Sequence, residues 1–407
     1  MPVNLSAPEK LLPIPGIRLG IARAGVRKPG RKDLVVMTLP ETATVAGVFT
    51  QNRYCAAPVN LCREVLAGGQ SVRALVINTG CANAGTGDAG YEDARAVCAA
   101  VGKAVGCAPE QVLPFSTGVI LERLPVDRIV AGLPDCMADL DEDRWVSAAE
   151  AIMTTDIVPK GISRTFEVDG QTCRVTGIAK GSGMIHPNMA TMLGYVATDV
   201  QVPGPLLQGL LKEVADASFN RVTVDGDTST NDAFMLVAAG AADRPCIDQP
   251  EGPAWEALRE AVLSVSVFLA QALARDGEGA TKFVTIEVQG GSRSEECLKV
   301  GKAIAHSPLV KTALFASDPN LGRLLAAIGN AGIDDLSVDG VSMWLGDVEV
   351  VRGGQPAPDY RESDAAEVMQ APEIIIRVDL GRGNARDRVW TCDFSYDYVR
   401  INAEYRS

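Results

Sequence analysis

Lys180-Gly-Ser-Gly-Met-Ile-His-Pro-Asn-Met-Ala-Thr-Met-Leu193 is the place to begin, because no regular element can run through it. Its two glycines and its proline exclude a helix or a central strand, since glycine loosens the backbone and proline lacks an N–H donor. The apolar run Met192–Ala197 that follows predicts a buried strand. Small Ala190 precedes Thr191 at the head of that run. A threonine held there is well placed to become a new N-terminus if the Ala190–Thr191 bond is cut. A threonine hydroxyl is inert near neutral pH until a base takes its proton. An α-amine titrates near ~7.7–8.0, so a fair share of it is neutral and able to act as that base. One residue would then supply both nucleophile and base. The pattern by itself leaves a plainer alternative, because a threonine after alanine is most often an ordinary strand residue.

Outward from this stretch, runs rich in β-branched residues predict strands at Leu34–Leu39, Thr44–Thr50, Val72–Asn78, Phe283–Val288, Met343–Val351, Glu373–Val378 and Arg388–Ile401. Helical spacing of apolar residues marks Tyr91–Val105 and Trp255–Arg275. Strands and helices alternate only loosely, and several strands follow one another near the C-terminus. That order predicts an α/β fold with layered, mixed sheets in preference to one parallel sheet. Stretches at Gln201–Pro205 and Gly353–Pro358 read as loops.

Composition narrows the classes of partner. The chain has 407 residues, 47% of them apolar and 22% charged, with a net charge of −13 and no basic run. Such a field repels nucleic acid and anionic membrane surfaces, so neither is expected as a partner. The start MPVNLSAPEKLLPIPGIRLG carries a lysine and four prolines where a signal peptide needs an unbroken apolar stretch. The run Val262–Ala274 is too short to span a bilayer. Ten cysteines without a CxxC pair read as buried thiols of a reducing compartment, which makes the cytoplasm the expected location. Only two histidines occur, His186 and His306, so a catalytic triad or a histidine-rich metal site has little to build with, and no metal is expected. A threonine activated by its own amine needs no histidine.

Gly85-Thr-Gly-Asp-Ala-Gly90 matches a dinucleotide-binding pattern between a strand and a helix. Its context argues against that use. The strand ends near Asn78, leaving TGCANA in between, and Glu110 lies in a turn instead of at a strand end. A tightly packed glycine turn near a site fits better. In Phe115-Ser-Thr-Gly-Val-Ile120, a hydroxyl and a close-approaching glycine N–H could serve as oxyanion donors, though most such triplets are strand-end turns. Lys180 could neutralise a substrate carboxylate, or be a solvated lysine. Glu278, between two glycines just before a strand, could hold a substrate ammonium, or be a plain loop acid.

At these residues the chain resembles the glutamate N-acetyltransferase/ornithine acetyltransferase family of arginine biosynthesis, usually called ArgJ. The matching pieces are INTGCANAGTG (Ile77–Gly87), STGVI (Ser116–Ile120), MTTD (Met153–Asp156) and KGSGMIHPNMATML (Lys180–Leu193). DGDTSTND (Asp225–Asp232), DGEGATK, SPLVKTALFASDPNLGR (Ser307–Arg323) and the tail CDFSYDYVRINAEYRS continue the match in order. The resemblance implies an ArgJ/DmpA-like layered α/β sandwich, self-cleaved between Ala190 and Thr191. Residues 1–190 would form an α chain and 191–407 a β chain, assembled as α2β2. Acetyl would pass from N2-acetyl-L-ornithine to Thr191 and then to L-glutamate in a ping-pong cycle, without a cofactor. Whether acetyl-CoA also serves as donor is left open. The family's oxyanion donors map onto Thr117 and Gly118. Its substrate contacts map onto Thr154, Lys180, Thr191, Glu278, Asn402 and Ser407, with Thr155 the next choice in MTTD. Two departures stand out: Leu321 where the family commonly has Trp, and a C-terminal Ser407 where it often has Thr. Serine keeps the hydroxyl, and Leu321 alters packing. The other readings are an N-terminal-nucleophile aminopeptidase of DmpA type, which would use water as acceptor, and a dinucleotide-binding oxidoreductase or plain binding protein, which would stay uncut.

Overall fold

A computed structural model describes residues 1–186 and 192–404. Ala190 and Thr191, expected to flank a cut, and Ser407 lie outside the described residues. Three sheets organise the described residues, and each mixes parallel with antiparallel pairs. The first runs in the order Arg18–Ala22, Leu34–Thr38, Ala74–Cys81, Val112–Val119, with only the last pair parallel. The middle sheet runs Thr44–Phe49, Ala233–Ala238, Leu193–Thr198, Gln171–Lys180, Lys160–Val168, and only its second pair is parallel. These two sheets stack face to face. Phe115 of the first meets Tyr195 of the middle edge to face at 5.3 Å between ring centroids, inside one apolar cluster fed by both.

Burial explains why the strands hold these places. Every residue of Leu193–Thr198 and of Ala233–Ala238 is buried, as expected of central strands covered on both faces. Leu193, Tyr195 and Ala197 point into the cluster shared with the first sheet, and Val196 into a second cluster behind. That second cluster is closed by the helices Gly204–Ala217 and Pro253–Arg275. Helices Gly87–Val105 and Val126–Ala138 cover the outer face of the first sheet. The result is the layered α/β sandwich that the sequence predicts. Helix Pro253–Arg275 begins earlier than the apolar run Val262–Ala274. By length and composition alone it could cross a membrane, but its apolar face, from Trp255 to Ala274, is packed into the second cluster.

The third sheet, from Gln355–Pro356 through Val348–Arg352, Ser342–Leu345, Glu373–Asp379 and Phe283–Gly291 to Ala385–Cys392, carries its own apolar cluster beneath helix Ser294–His306. Phe283, Trp390 and Cys392 on its other face join the second cluster, which docks this sheet against the sandwich. Two expectations change here. Met343–Val351 is a hairpin of two strands turning at Gly346. The strand expected across Arg388–Ile401 stops at Cys392, and Tyr396–Ala403 is a helix. Trp390 and Cys392 are buried, whereas Tyr396 and Val399 are exposed, so the tail has no sheet face to fill. An Asp397–Arg400 pair spaced i,i+3 suits a helix instead.

The glycine-rich turn at Gly85–Gly90 opens helix Gly87–Val105. Asn83 donates to the Gly90 carbonyl and accepts from Thr86, knotting the turn. The strand before it sits in a sheet with two antiparallel pairings, unlike the parallel sheet of a dinucleotide fold.

Candidate active site

Ends of strands from both stacked sheets converge on a cavity of about 250 Å³. Thr117 and Gly118 enter from the end of Val112–Val119, Lys180 is the last residue of Gln171–Lys180, and Met192 and Leu193 head the adjacent strand. Thr154, Thr155, Glu278 and Asn402 complete the wall with the turn Ser229–Asp232. All six candidate residues within the described part, scattered between positions 117 and 402, therefore face one space.

Lys180 pairs with Leu193 in the ladder, and its Nζ donates to the Thr117 hydroxyl at 3.1 Å. Burial lowers the Lys180 ammonium from its ordinary value, against the opposing pull of Asp156, Asp232 and Glu278. Gly118 has φ +136°, and a Cβ there would lie 2.6 Å from the Cys81 nitrogen. Only glycine fits where the two strand backbones come this close. Across the cavity, Asn402 donates to the Glu278 carboxylate at 2.8 Å and to the Tyr398 carbonyl at 3.0 Å. The Glu278 N–H bonds the Ser182 carbonyl at 2.8 Å. A Cβ on Gly183 would come within 2.6 Å of a Glu278 oxygen, so Gly183 leaves the room in which that carboxylate sits. The cavity wall thus carries a cation, an amide-anchored carboxylate, a hydroxyl and a glycine.

A buried ion triad positions three of these segments. Lys160 Nζ lies 2.6 Å from both Asp156 and Asp276, and none of the three side chains meets solvent. Asp156 also accepts from the N–H groups of Thr154 and Gly181, and Asp276 accepts from Ile157. The threonine loop, the end of the Lys180 strand and the start of the Glu278 loop are tied to one centre. Burial raises the Asp156 carboxyl, but Lys160, Lys180 and the hydrogen bonds outweigh it and hold the group well below the usual carboxylate range. Asp276 is pushed the other way, with burial outweighing Lys160.

A sequence model of the ArgJ family matches residues 18–407. The chain belongs to the ArgJ family. Among solved structures, the arginine biosynthesis bifunctional protein argJ from Bacillus halodurans is 38% identical over 51% of this chain and 97% of its own, with a TM-score of 0.49. Ornithine acetyltransferase from Mycobacterium tuberculosis, complexed with ornithine, is 35% identical over 44% and 99%, at a TM-score of 0.39. An L-aminopeptidase D-Ala-esterase/amidase from Ochrobactrum anthropi is 10% identical over 67% and 88%, at 0.38.

Several residues of this ArgJ-family site escaped the sequence reading. Ser229, Thr230, Asn231 and Asp232 line the cavity, and Asn231 donates to the carbonyls of Ala82 and Ser116, locking the turn onto the first sheet. Their signal was the polar run DGDTSTND set directly before the wholly buried AFMLVA, a strand mouth where polar groups need a purpose. The same run pins the approach to the Ala190–Thr191 bond. Asp225 accepts from the N–H groups of Met184 and Ile185 at 2.6 and 2.9 Å, and Thr228 donates to the His186 carbonyl at 3.1 Å. Met184 is held at φ +53°, a left-handed conformation costly for a non-glycine residue. The Lys160 triad was not read from the sequence: Asp156 and Lys160 are near neighbours in the chain, but Asp276 joins them only through tertiary contact.

Proposed function

We propose that this ArgJ-family chain is a self-processing acetyltransferase of arginine biosynthesis that moves acetyl from N2-acetyl-L-ornithine to L-glutamate through Thr191. The observation that carries the reading is the single cavity in which Thr117, Gly118, Lys180, Glu278 and Asn402 meet at the residue following Thr191. Cleavage between Ala190 and Thr191 frees the amine. The Thr191 hydroxyl attacks the acetyl carbonyl while that amine takes its proton, and the Thr117 hydroxyl and Gly118 N–H receive the negative charge on oxygen. Collapse breaks the amide bond, and the leaving ornithine amine takes the proton back. Glutamate's α-amine then attacks the acetyl-threonine ester, and the hydroxyl is restored as N-acetylglutamate forms.

Each substrate carries a carboxylate for Lys180. For N-acetylornithine, the side-chain ammonium suits Glu278, held in place by Asn402. Of the two threonines in MTTD, Thr155 already shares its hydroxyl with Ser182 at 2.7 Å, which favours Thr154 as the substrate contact. Ser407 would close the site from the C-terminus, and the two fragments would assemble as α2β2. No cofactor is required. Acetyl-CoA as a second donor is a separate test, with glutamate and labelled acetyl-CoA and no ornithine.

Intact mass of the purified protein tests the proposal. Wild type is expected as two fragments, split at 190/191, with the C-terminal one gaining an acetyl group when N-acetylornithine is added; Thr191→Ala is expected whole. An active wild-type enzyme that is a single uncut chain would overturn it. Acetyl transferred to water and not to glutamate would point to the aminopeptidase chemistry instead.

A further inference from the structure

The cavity holds one carboxyl to which the mechanism above gives no role. Asp232 is only 3% exposed, lines the cavity, and has one side-chain oxygen, Oδ2, with no hydrogen-bond partner among the described residues. Buried carboxyl oxygens are rarely left so. The nearest cation in the wall, Lys180, spends a bond on Thr117 instead. Burial pushes the Asp232 carboxyl well above the usual range, and the bonds from Ser229 and the charge of Lys180 do not restore it. Lys180 alone does not offset that burial.

The ladder says where such a neighbour would arise. Ala233 pairs with Leu193 in parallel register, and the Ala233 N–H donates to the Met192 carbonyl at 2.9 Å. Asp232 thus stands beside Met192 at the mouth of the two central strands. Residue 191 is one Cα step, about 3.8 Å, further out along the chain. The amine that cleavage would create belongs to the residue joined to Met192, and it is a new cation or hydrogen-bond donor for an unpartnered buried oxygen.

We propose that Asp232 is a positioning residue for the nucleophile: its unpartnered oxygen accepts an N–H of the Thr191 α-amine and turns the amine's lone pair toward the threonine hydroxyl. This rests on the reading of Thr191 given above. The proton count of the cycle is unchanged. The amine takes the hydroxyl proton and returns it to the leaving amine, while the hydrogen bond to Asp232 stays in place. Before cleavage residue 191 has only an amide nitrogen, whose lone pair is delocalised, so the alignment matters to acetyl transfer and not to cutting.

Asp232→Ala and Asp232→Asn, each checked for folding by its melting temperature, test this with mass spectrometry and single-turnover kinetics. Both variants are expected to be cut at 190/191. Acetylation of the C-terminal fragment should slow by about 100-fold in the alanine variant, the scale of a misplaced catalytic group. KM for N2-acetyl-L-ornithine should stay within about threefold, because substrate binding is untouched. Asparagine keeps the volume and an acceptor oxygen, so Asp232→Asn should lose only about tenfold. A cut alanine variant that acetylates at the wild-type rate, or a loss confined to KM, overturns the proposal. So does a folded variant that stays uncut, which would assign Asp232 to the cleavage step. If the alanine variant does not fold, the asparagine variant decides, and a wild-type rate there overturns the assignment. Failure of the Thr191 reading would show separately, as an uncut wild-type chain.

Discussion

Gly183 makes room for the Glu278 carboxylate in the cavity by having no side chain. In Gly183→Ala the new methyl would collide with the Glu278 carboxyl group, the movable tip of a side chain, and not with backbone. The carboxylate should swing away and lose Asn402, while the fold is barely disturbed. We expect KM for N-acetylornithine to rise by about tenfold or more, the scale of one hydrogen bond to a charged group, with the melting temperature nearly unchanged. A variant with wild-type KM would show that Glu278 does not hold the substrate. Lys160 is the opposite kind of residue, touching no cavity yet holding three loops. Lys160→Met would leave two carboxylates buried without their cation, and breaking a buried pair in this way costs about 3–5 kcal/mol. Urea unfolding should register that loss. A cost below about 1 kcal/mol, typical of exposed pairs, would mean that the triad is not a structural centre.

At the scale of elements, what could be read from the sequence followed burial. Met192–Ala197, which faces a core on both sides, announced itself, as did the single apolar stripe of Tyr91–Val105, whereas the equally buried Ala233–Ala238 went unread. Strand Lys160–Val168 was missed because polar residues interrupt it, Arg18–Ala22 because it is short and carries a glycine at its centre, and the C-terminal helix because its aromatic residues mimic a strand. The candidate site was legible only where motifs carried it; its tying network, made by tertiary contact, was not. One such contact couples the approach to the proposed cleavage point with helix Ser294–His306. His186 and His306 share a 3.0 Å hydrogen bond between ring nitrogens. Burial, then the charge of Lys302, lowers His186 from 6.5 to about 4. Burial, then His186, Lys302 and Lys311, lowers His306 to about 3. Both rings stay neutral in the folded protein while the unfolded chain begins to bind protons near 6.5. Their contribution to stability is therefore complete above that pH and is lost as pH falls toward 4 and below. The melting temperature of His306→Gln should fall less steeply than that of wild type between pH 6.5 and 4. Parallel curves for the two proteins would remove the histidine pair as the cause.

For the whole molecule, the proposed cut at Ala190–Thr191 is a chemical boundary laid across a folding unit. Strands Leu193–Thr198 and Ala233–Ala238 from the C-terminal side are inserted between Thr44–Phe49 and Gln171–Lys180 from the N-terminal side. One apolar cluster takes Leu75, Ile77 and Phe115 from before the cut and Tyr195, Met235 and Val237 from after it. Separating the fragments would break two complete ladders and open that core, exposing long strand edges that template aggregation. Segments 1–190 and 191–407 are thus expected to behave as interlocked halves and not as autonomous domains. The cut protein should elute as one particle in native buffer and resolve into two polypeptides only in denaturant. Residues 1–190 and 191–407 expressed separately should each be insoluble or unfolded, and co-expression should recover soluble, paired material. A soluble, cooperatively unfolding N-terminal half made alone would refute the interlocked arrangement, because its sheet would have had to close without its two central strands.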